Sequence, residues 1–377
     1  MAGYDVIVVG TGGVGSAALF ELARRGARVV GIDRFPPAHD RGSSHGQTRA
    51  IRKAYYEHPN YVPLVHRAYH LWAELERRRS QQLYHEVGLL QVGPPDGMVI
   101  SGVLDSARLH GLEIERLSSR DVRDRFAGFV VPEDAAAVFE RCAGYLLVED
   151  CVIAHLQEAS KLGADLCNGQ VVRSWRADRR GVSVQTDADT FTAGHLVITG
   201  GAWAGSLLAD LGILLKVLRK HLHWFAGGEE GYRAERGCPV FFFETAEGFY
   251  YGFPQLDHRG VKVGEHSGGS VVTDPLNLAR DIEPGDLRRV ASFVGTYMPG
   301  LSRRATDHAV CMYTMSPDEH FLVDRHPEHE RVLFAAGLSG HGFKFVGVLA
   351  EALADLALQG KTSLPIEFLS CTRPGLR

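Results

Sequence analysis

Three stretches of the chain share one pattern: a short apolar run, a cluster of glycines, then apolar positions at helical spacing. Tyr4–Val9 is a Val/Ile run suited to a strand buried on both faces. Gly10 to Gly15 follow, then a predicted helix over 14–25 with Gly26 as its stop. Residues 28–32 read as a second strand ending at Asp33, which completes a βαβ unit. A second strand over 195–199 runs into Gly200, Gly201 and a predicted helix through Leu207 and Leu211. A third, over 331–336, meets the glycine-rich turn 337–342. The helix predicted over 346–359 follows, with Leu349, Leu353 and Leu356 as its buried stripe and Gly360 at its end.

The middle of the chain reads differently. Runs at 241–244, 249–253 and 260–265, separated by Gly, Pro and Asp, predict an antiparallel meander. The pattern as a whole predicts an α/β protein, α+β overall. A Rossmann-like nucleotide-binding domain is assembled from discontinuous segments, 1–90, 145–215 and 320–377. A β-sheet-rich substrate domain is drawn from 91–144 and 216–319.

Composition narrows the class. At 377 residues, about two or three domains are expected. The 41 basic and 45 acidic residues leave a net charge of −4, which argues against nucleic acid as a partner. Apolar runs fall well short of the roughly 20 residues of a membrane span, so no membrane partner is expected. The six cysteines contain no C-x-x-C pair, which opposes a zinc site or a disulfide framework. No metal is expected. The first strand begins by Tyr4, leaving no room for a cleavable leader, and a cytoplasmic location is the expectation.

Gly10-Thr-Gly12-Gly13-Val14-Gly15 fits G-x-G-x-x-G between a strand and a helix. Gly10 serves the tight turn, Gly12 the approach of backbone N–H groups to a pyrophosphate, and Gly15 the close packing of helix on strand. The helix N-terminus favours phosphate. Asp33 lies where an acid accepts hydrogen bonds from ribose hydroxyls and disfavours a 2′-phosphate. The motif alone does not separate NAD from FAD.

Three further segments bear on that choice. They are Gly42-Ser-Ser-His45-Gly-Gln-Thr48-Arg49-Ala-Ile-Arg52, Cys311-Met-Tyr313-Thr314-Met-Ser-Pro-Asp318 and Gly337-Leu-Ser-Gly340-His341-Gly342-Phe-Lys344. With the N-terminal fingerprint they resemble the monomeric sarcosine oxidase family, including N-methyltryptophan and pipecolate oxidases, within the glycine/D-amino-acid oxidase flavoproteins. The resemblance runs over essentially the whole chain in the same order. It implies FAD, attached covalently as a thioether through Cys311, a step that needs a thiolate. Further cofactor contacts are implied at Val14, Arg34, Ser43, Arg49, Val172, Gly200, Gly340, Gly342 and Lys344. The other five cysteines read as small, mostly buried apolar residues.

The same resemblance assigns the chemistry. A lysine between valines in a meander ordinarily faces solvent, yet the family places Lys262 beneath the flavin, where a fixed ammonium favours reaction with O2. Arg49, His45 and Thr48 belong to the flavin-contacting loop. Arg52 and Lys344 hold the substrate carboxylate, a planar fork beside a point charge. Tyr251, Tyr313, Gly340, His341 and His266 complete the substrate pocket. Tyr250 and Tyr251 alternate along a strand, so one of them faces the pocket, and the resemblance selects Tyr251. The implied activity is oxidation of a secondary N-methyl amino acid, sarcosine first, by O2, in a monomer. Alternatives are pipecolate or proline, N-methyltryptophan, or a fructosyl amino acid. From other classes come an NAD-dependent dehydrogenase or a non-catalytic flavin-binding subunit. Ser44, Gln47 and Phe242 depart from the family pattern, and they put substrate size rather than flavin chemistry in question.

Overall fold

The computed structural model describes residues 3–227 and 230–376. It joins the three strand–glycine–helix units in one eight-stranded sheet. Tyr4–Val9 lies at its centre, parallel to Val29–Asp33 on one side and Thr190–Ile198 on the other. Asp165–Asn168 and Val332–Ala336 extend the parallel set. Three antiparallel strands, Val172–Ala177, Val182–Thr186 and Leu322–Arg325, complete it. The helices Gly13–Arg24, Val148–Lys161 and Val346–Gln359 pack together over one face, sealing a core that runs from Val6 and Leu19 to Leu349 and Leu353. Strands buried on both faces explain the unbroken Val/Ile runs.

One expected element differs. The helix expected through Leu207 and Leu211 is instead three short turns, Gly201–Trp203, Ala204–Leu207 and Ala209–Leu211. The Trp175 indole donates to the Leu207 carbonyl at 2.7 Å, taking the acceptor that a continuing helix would use.

The second sheet has nine strands. Its centre is the expected meander, Val240–Thr245, Gly248–Phe253 and Val261–Glu265, each antiparallel to the next. Lys216–Gly227 pairs with Val261–Glu265 on one edge and with the long strand Leu301–Met315 on the other. A small third sheet, Thr48–Ile51, Gly144–Leu147 and Tyr84–Glu86, carries Arg49. Strands of the first sheet fall within 1–90, 145–215 and 320–377, whose outermost residues 1–2 and 377 lie outside the described residues. Strands of the second fall within 91–144 and 216–319, except that Leu89–Gly93 starts earlier; 228–229 are likewise outside the described residues.

Candidate active site

A cavity of about 2140 Å³, its open mouth included, runs from the glycine loop to the second sheet. At one end the backbone shapes it. Gly10 has φ +86°, and a Cβ there would lie 2.6 Å from the Thr199 carbonyl oxygen. A Cβ on Gly15 would lie 1.8 Å from the Gly10 carbonyl oxygen, so only glycine lets the helix start so close to the strand. A Cβ on Gly12 would meet nothing within 4 Å, so that backbone faces open space. Asp33 accepts from the Thr11 N–H at 2.6 Å and the Phe35 N–H at 2.9 Å, which holds the carboxylate at the rim. Gly10, Gly12, Gly13, Val14, Asp33, Arg34, Val172 and Gly200 all line this end. An open glycine cradle at a helix N-terminus beside an anchored acid fits a dinucleotide.

Midway, Ser43, Arg49 and Met312 form the wall, and four of the expected residues sit behind it: His45, Thr48, Lys262 and Cys311. Lys262 is 1% exposed rather than solvent-facing. Its Nζ donates to the carbonyls of Gly46 (2.7 Å) and Thr48 (2.9 Å). Burial, then the like charge of Arg49, holds it well below the usual lysine range. Arg49 donates to the carbonyls of Ser43 and Thr48 and lies 3.5 Å from Cys311 Sγ. Burial pushes the Cys311 thiol up, but a hydrogen bond from His45 and the Arg49 charge outweigh it, bringing it down to about 7. By contrast, burial pushes up Cys142, Cys151, Cys167 and Cys238, the last to about 12. A substantial thiolate fraction at neutral pH is therefore particular to Cys311 among these five. His45 Nε2 and Thr48 Oγ1 are buried without partners, two orphaned polar atoms beside the wall.

The far end is a chamber of side chains. Arg52 and Lys344, distant in sequence, both lie over the Tyr55 ring, at 4.2 and 5.2 Å. Arg52 donates to both oxygens of Glu57 at 2.7 and 2.8 Å. Burial pushes Glu57 up, but Arg52 overrides it and brings it down to about 2. Lys344 donates to the His341 carbonyl at 2.7 Å and the Tyr55 hydroxyl at 3.3 Å. Burial, with Arg52 adding to it, lowers Lys344 to about 7. Tyr251 and Tyr313 meet at their hydroxyls, 3.5 Å apart. His266 lies 5.6 Å from the Tyr313 ring, and burial lowers it to about 3. Burial likewise lowers His341 to about 4. Gly340 has φ +83°, and a Cβ there would lie 2.4 Å from the Tyr313 ring. Gly342 also lines this end. Tyr251 faces the chamber, whereas Tyr250 stacks on Phe293 at 4.5 Å in the core behind. Phe242 packs between Tyr56 (5.5 Å) and His266 (5.8 Å).

Of the expected residues, Gly15, His45, Thr48, Lys262 and Cys311 do not line the cavity; Gly15 packs beneath the loop and the other four stand behind the wall. Glu57, Tyr55 and Tyr56 were not anticipated. An acid five residues after Arg52, beyond two tyrosines, was a usable signal. Among the described residues, one group has metal-ligand spacing, Asp210, His326 and His329, and none of the three lines the cavity. There the Glu328 N–H donates to His326 Nδ1 at 3.2 Å, leaving the ring proton on Nε2, which faces Asp210.

Residues 5–356 match the family described as FAD dependent oxidoreductase, DAO. The chain is 42% identical over 369 residues to a monomeric sarcosine oxidase of Streptomyces avermitilis, covering 96% of each. It is 35% identical over 374 residues to an N-methyl-L-tryptophan oxidase of Yersinia pestis, covering 98% of this chain and 99% of the relative. Among solved structures, NikD, an amino acid oxidase essential for nikkomycin biosynthesis, superposes with a TM-score of 0.86 at 26% identity, covering 98% of each chain.

Proposed function

From the premise that this chain belongs to the DAO family of FAD dependent oxidoreductases and is an FAD-dependent amino acid oxidase, we propose that it oxidises sarcosine. Sarcosine, O2 and water become glycine, formaldehyde and H2O2. One observation carries the substrate class: two buried cations, Arg52 and Lys344, both line the cavity that opens on the dinucleotide cradle, and both lie over the ring of Tyr55 behind its wall. Bound FAD supplies the two-electron acceptor and its reoxidation by O2.

The residues of this chain do the rest. The cradle of Gly10, Gly12 and Gly13 receives the pyrophosphate, and Asp33 the ribose. Arg49 would face the flavin ring from the cavity wall with His45 and Thr48 behind it, and Cys311, also behind the wall and held toward its thiolate, would be the attachment point. Arg52 and Lys344 grip the substrate carboxylate, in competition with the internal carboxylate of Glu57. Tyr251 and Tyr313 present aromatic surface to the N-methyl group, and His266 and His341, neutral at pH 7, add no further charge. Fixing the carboxylate holds the N-methyl carbon in one orientation, which is where most of the rate gain from positioning arises. The Lys262 ammonium, held by the carbonyls of Gly46 and Thr48 against the burial and the Arg49 charge that disfavour it, would supply positive charge for the reduction of O2. The enzyme acts as a monomer.

A panel of amino acids read by peroxide release tests the substrate, with sarcosine expected to lead. The identity to an N-methyl-L-tryptophan oxidase makes that amino acid the second member of the panel. Acid precipitation tests the linkage. Yellow colour stays with the wild-type pellet and leaves with the supernatant for Cys311→Ser; colour retained by the variant refutes attachment at Cys311.

A further inference from the structure

Lys220 is a buried lysine, 3% exposed, that neither the motifs nor the proposed chemistry uses. It lies on the strand Lys216–Gly227, directly opposite Cys311 of the neighbouring strand. On the other edge that strand pairs first with Val261–Glu265 and then with Ser270–Val271. Leu222 faces Gly264 and Arg219 faces Ser270, so the step between these pairs is longer on the second chain, which loops out over 266–269. Gly268 (φ +65°) and Gly269 (φ +108°) make the loop possible, and a Cβ on Gly269 would lie 2.8 Å from the Arg219 carbonyl oxygen. Such a bulge takes carbonyls out of the ladder. Lys220 Nζ binds three of them, those of His266 (2.9 Å), Ser267 (2.7 Å) and Gly268 (3.1 Å). An ammonium has three N–H donors and no acceptor, so its whole capacity is spent on this loop. The loop carries His266 into the chamber wall, between Phe242 and Tyr313.

We propose that Lys220 is a positioning residue: its ammonium gathers the 266–268 bulge and so holds the His266 ring in the wall of the substrate chamber. The proposal rests on reading that cavity as the amino acid site. Burial lowers Lys220 to about 8; Glu265 and Cys311 oppose the shift, and Arg289 on the helix Pro284–Tyr297 adds to it. Tyr313, its ring 5.1 Å away, and His266 also face it, and its charge is felt by His221, the next residue on the strand. The neutral amine has two N–H groups, so deprotonation strands one carbonyl.

Hydrogen exchange across residues 262–270 and steady-state kinetics, both on flavin-loaded protein from pH 6.5 to 9.5, test this with Lys220→Met and Lys220→Arg. In Lys220→Met, protection over 264–270 should fall about tenfold, and KM should rise about tenfold with kcat nearly unchanged. Wild-type protection should fall above pH 8, beyond the intrinsic change in exchange rate. Lys220→Arg, charged throughout, should keep protection at all these pH values, and its KM should rise no further with pH than the titration of Lys344 requires. Wild-type protection and KM in Lys220→Met, or loss of protection spread over the whole second sheet, overturns the assignment. If Lys220→Met does not fold, a protection profile in Lys220→Arg that still falls above pH 8 overturns it. An expected exchange pattern in a protein that oxidises no amino acid supports the role of Lys220 and refutes the substrate reading instead.

Discussion

The glycine cradle and the substrate chamber are the two ends of one cavity, and they hold their shape by different physics. The cradle is backbone from a single loop, and its constraints are steric, as at Gly15, where a Cβ would lie 1.8 Å from the Gly10 carbonyl oxygen. The chamber draws Arg52, Glu57, Tyr251, His266, Tyr313 and Lys344 from widely separated positions, and its constraints are electrostatic. Damage to the cradle should therefore cost cofactor and fold at every pH. Damage to the chamber should cost substrate affinity, with a pH dependence, and leave the flavin in place.

The sharpest test of this contrast is Gly15→Val. Overpacking costs about 1–3 kcal/mol or more, and here the obstacle is a backbone carbonyl that has no rotamer to yield. The variant should lose flavin and melt at lower temperature, read from flavin absorbance per protein and a thermal scan. A wild-type flavin content would show that the cradle is not sterically limited.

Next is Lys262→Met, between the two ends. Removing one preorganised charge typically costs about 10²–10³-fold in rate. Stopped-flow measurements should show flavin reoxidation slowed by that order and flavin reduction far less. Equal slowing of both half-reactions removes its proposed role.

Lys344→Met probes the chamber alone. Truncating one partner of a buried charge contact costs about 2 kcal/mol or more, at least some thirtyfold in kcat/KM, with flavin content intact. The pH dependence follows from the lowered value of about 7. Lys344 is largely neutral above that pH, and an anionic substrate binds the charged form better. Wild-type KM should therefore rise as pH increases through 7, and the variant should lack that rise. A variant that keeps it assigns the titration to another group.

The smallest effect is expected from Phe242→Met, which replaces a rigid wall between Tyr56 and His266 with a flexible one. Pocket reshaping of this kind is worth about tenfold in discrimination. The ratio of kcat/KM for N-methyltryptophan over sarcosine should rise by that order; an unchanged ratio removes Phe242 from specificity.

Much of the first sheet was legible because each unit is local. A Val/Ile run, a glycine turn and a helical stripe declare themselves within some thirty residues, and the antiparallel meander did so by its turns. The break at Leu207 was not legible, because Trp175, which takes its carbonyl, comes from another strand. Lys262 between two valines carries the local pattern of a solvent-facing residue. It is buried because the Gly46–Thr48 loop covers that face of the sheet and offers it two carbonyls. Glu57 stands five residues from Arg52, yet its pairing depends on both side chains turning toward one ring system. Lys220 carried no signal at all, since its partners are backbone carbonyls of a bulge formed far along the chain.

What the amino-acid order alone determined is the dinucleotide half: strand, glycine turn, helix and terminal acid follow from backbone sterics and short-range periodicity, which act between near neighbours. Only the tertiary structure decided the ionisation and pairing of Cys311, Lys344, Glu57 and Lys220. Those depend on desolvation and on charges a few ångströms away, and what supplies them ranges from Arg52, five residues from Glu57, to Arg49, 262 residues from Cys311.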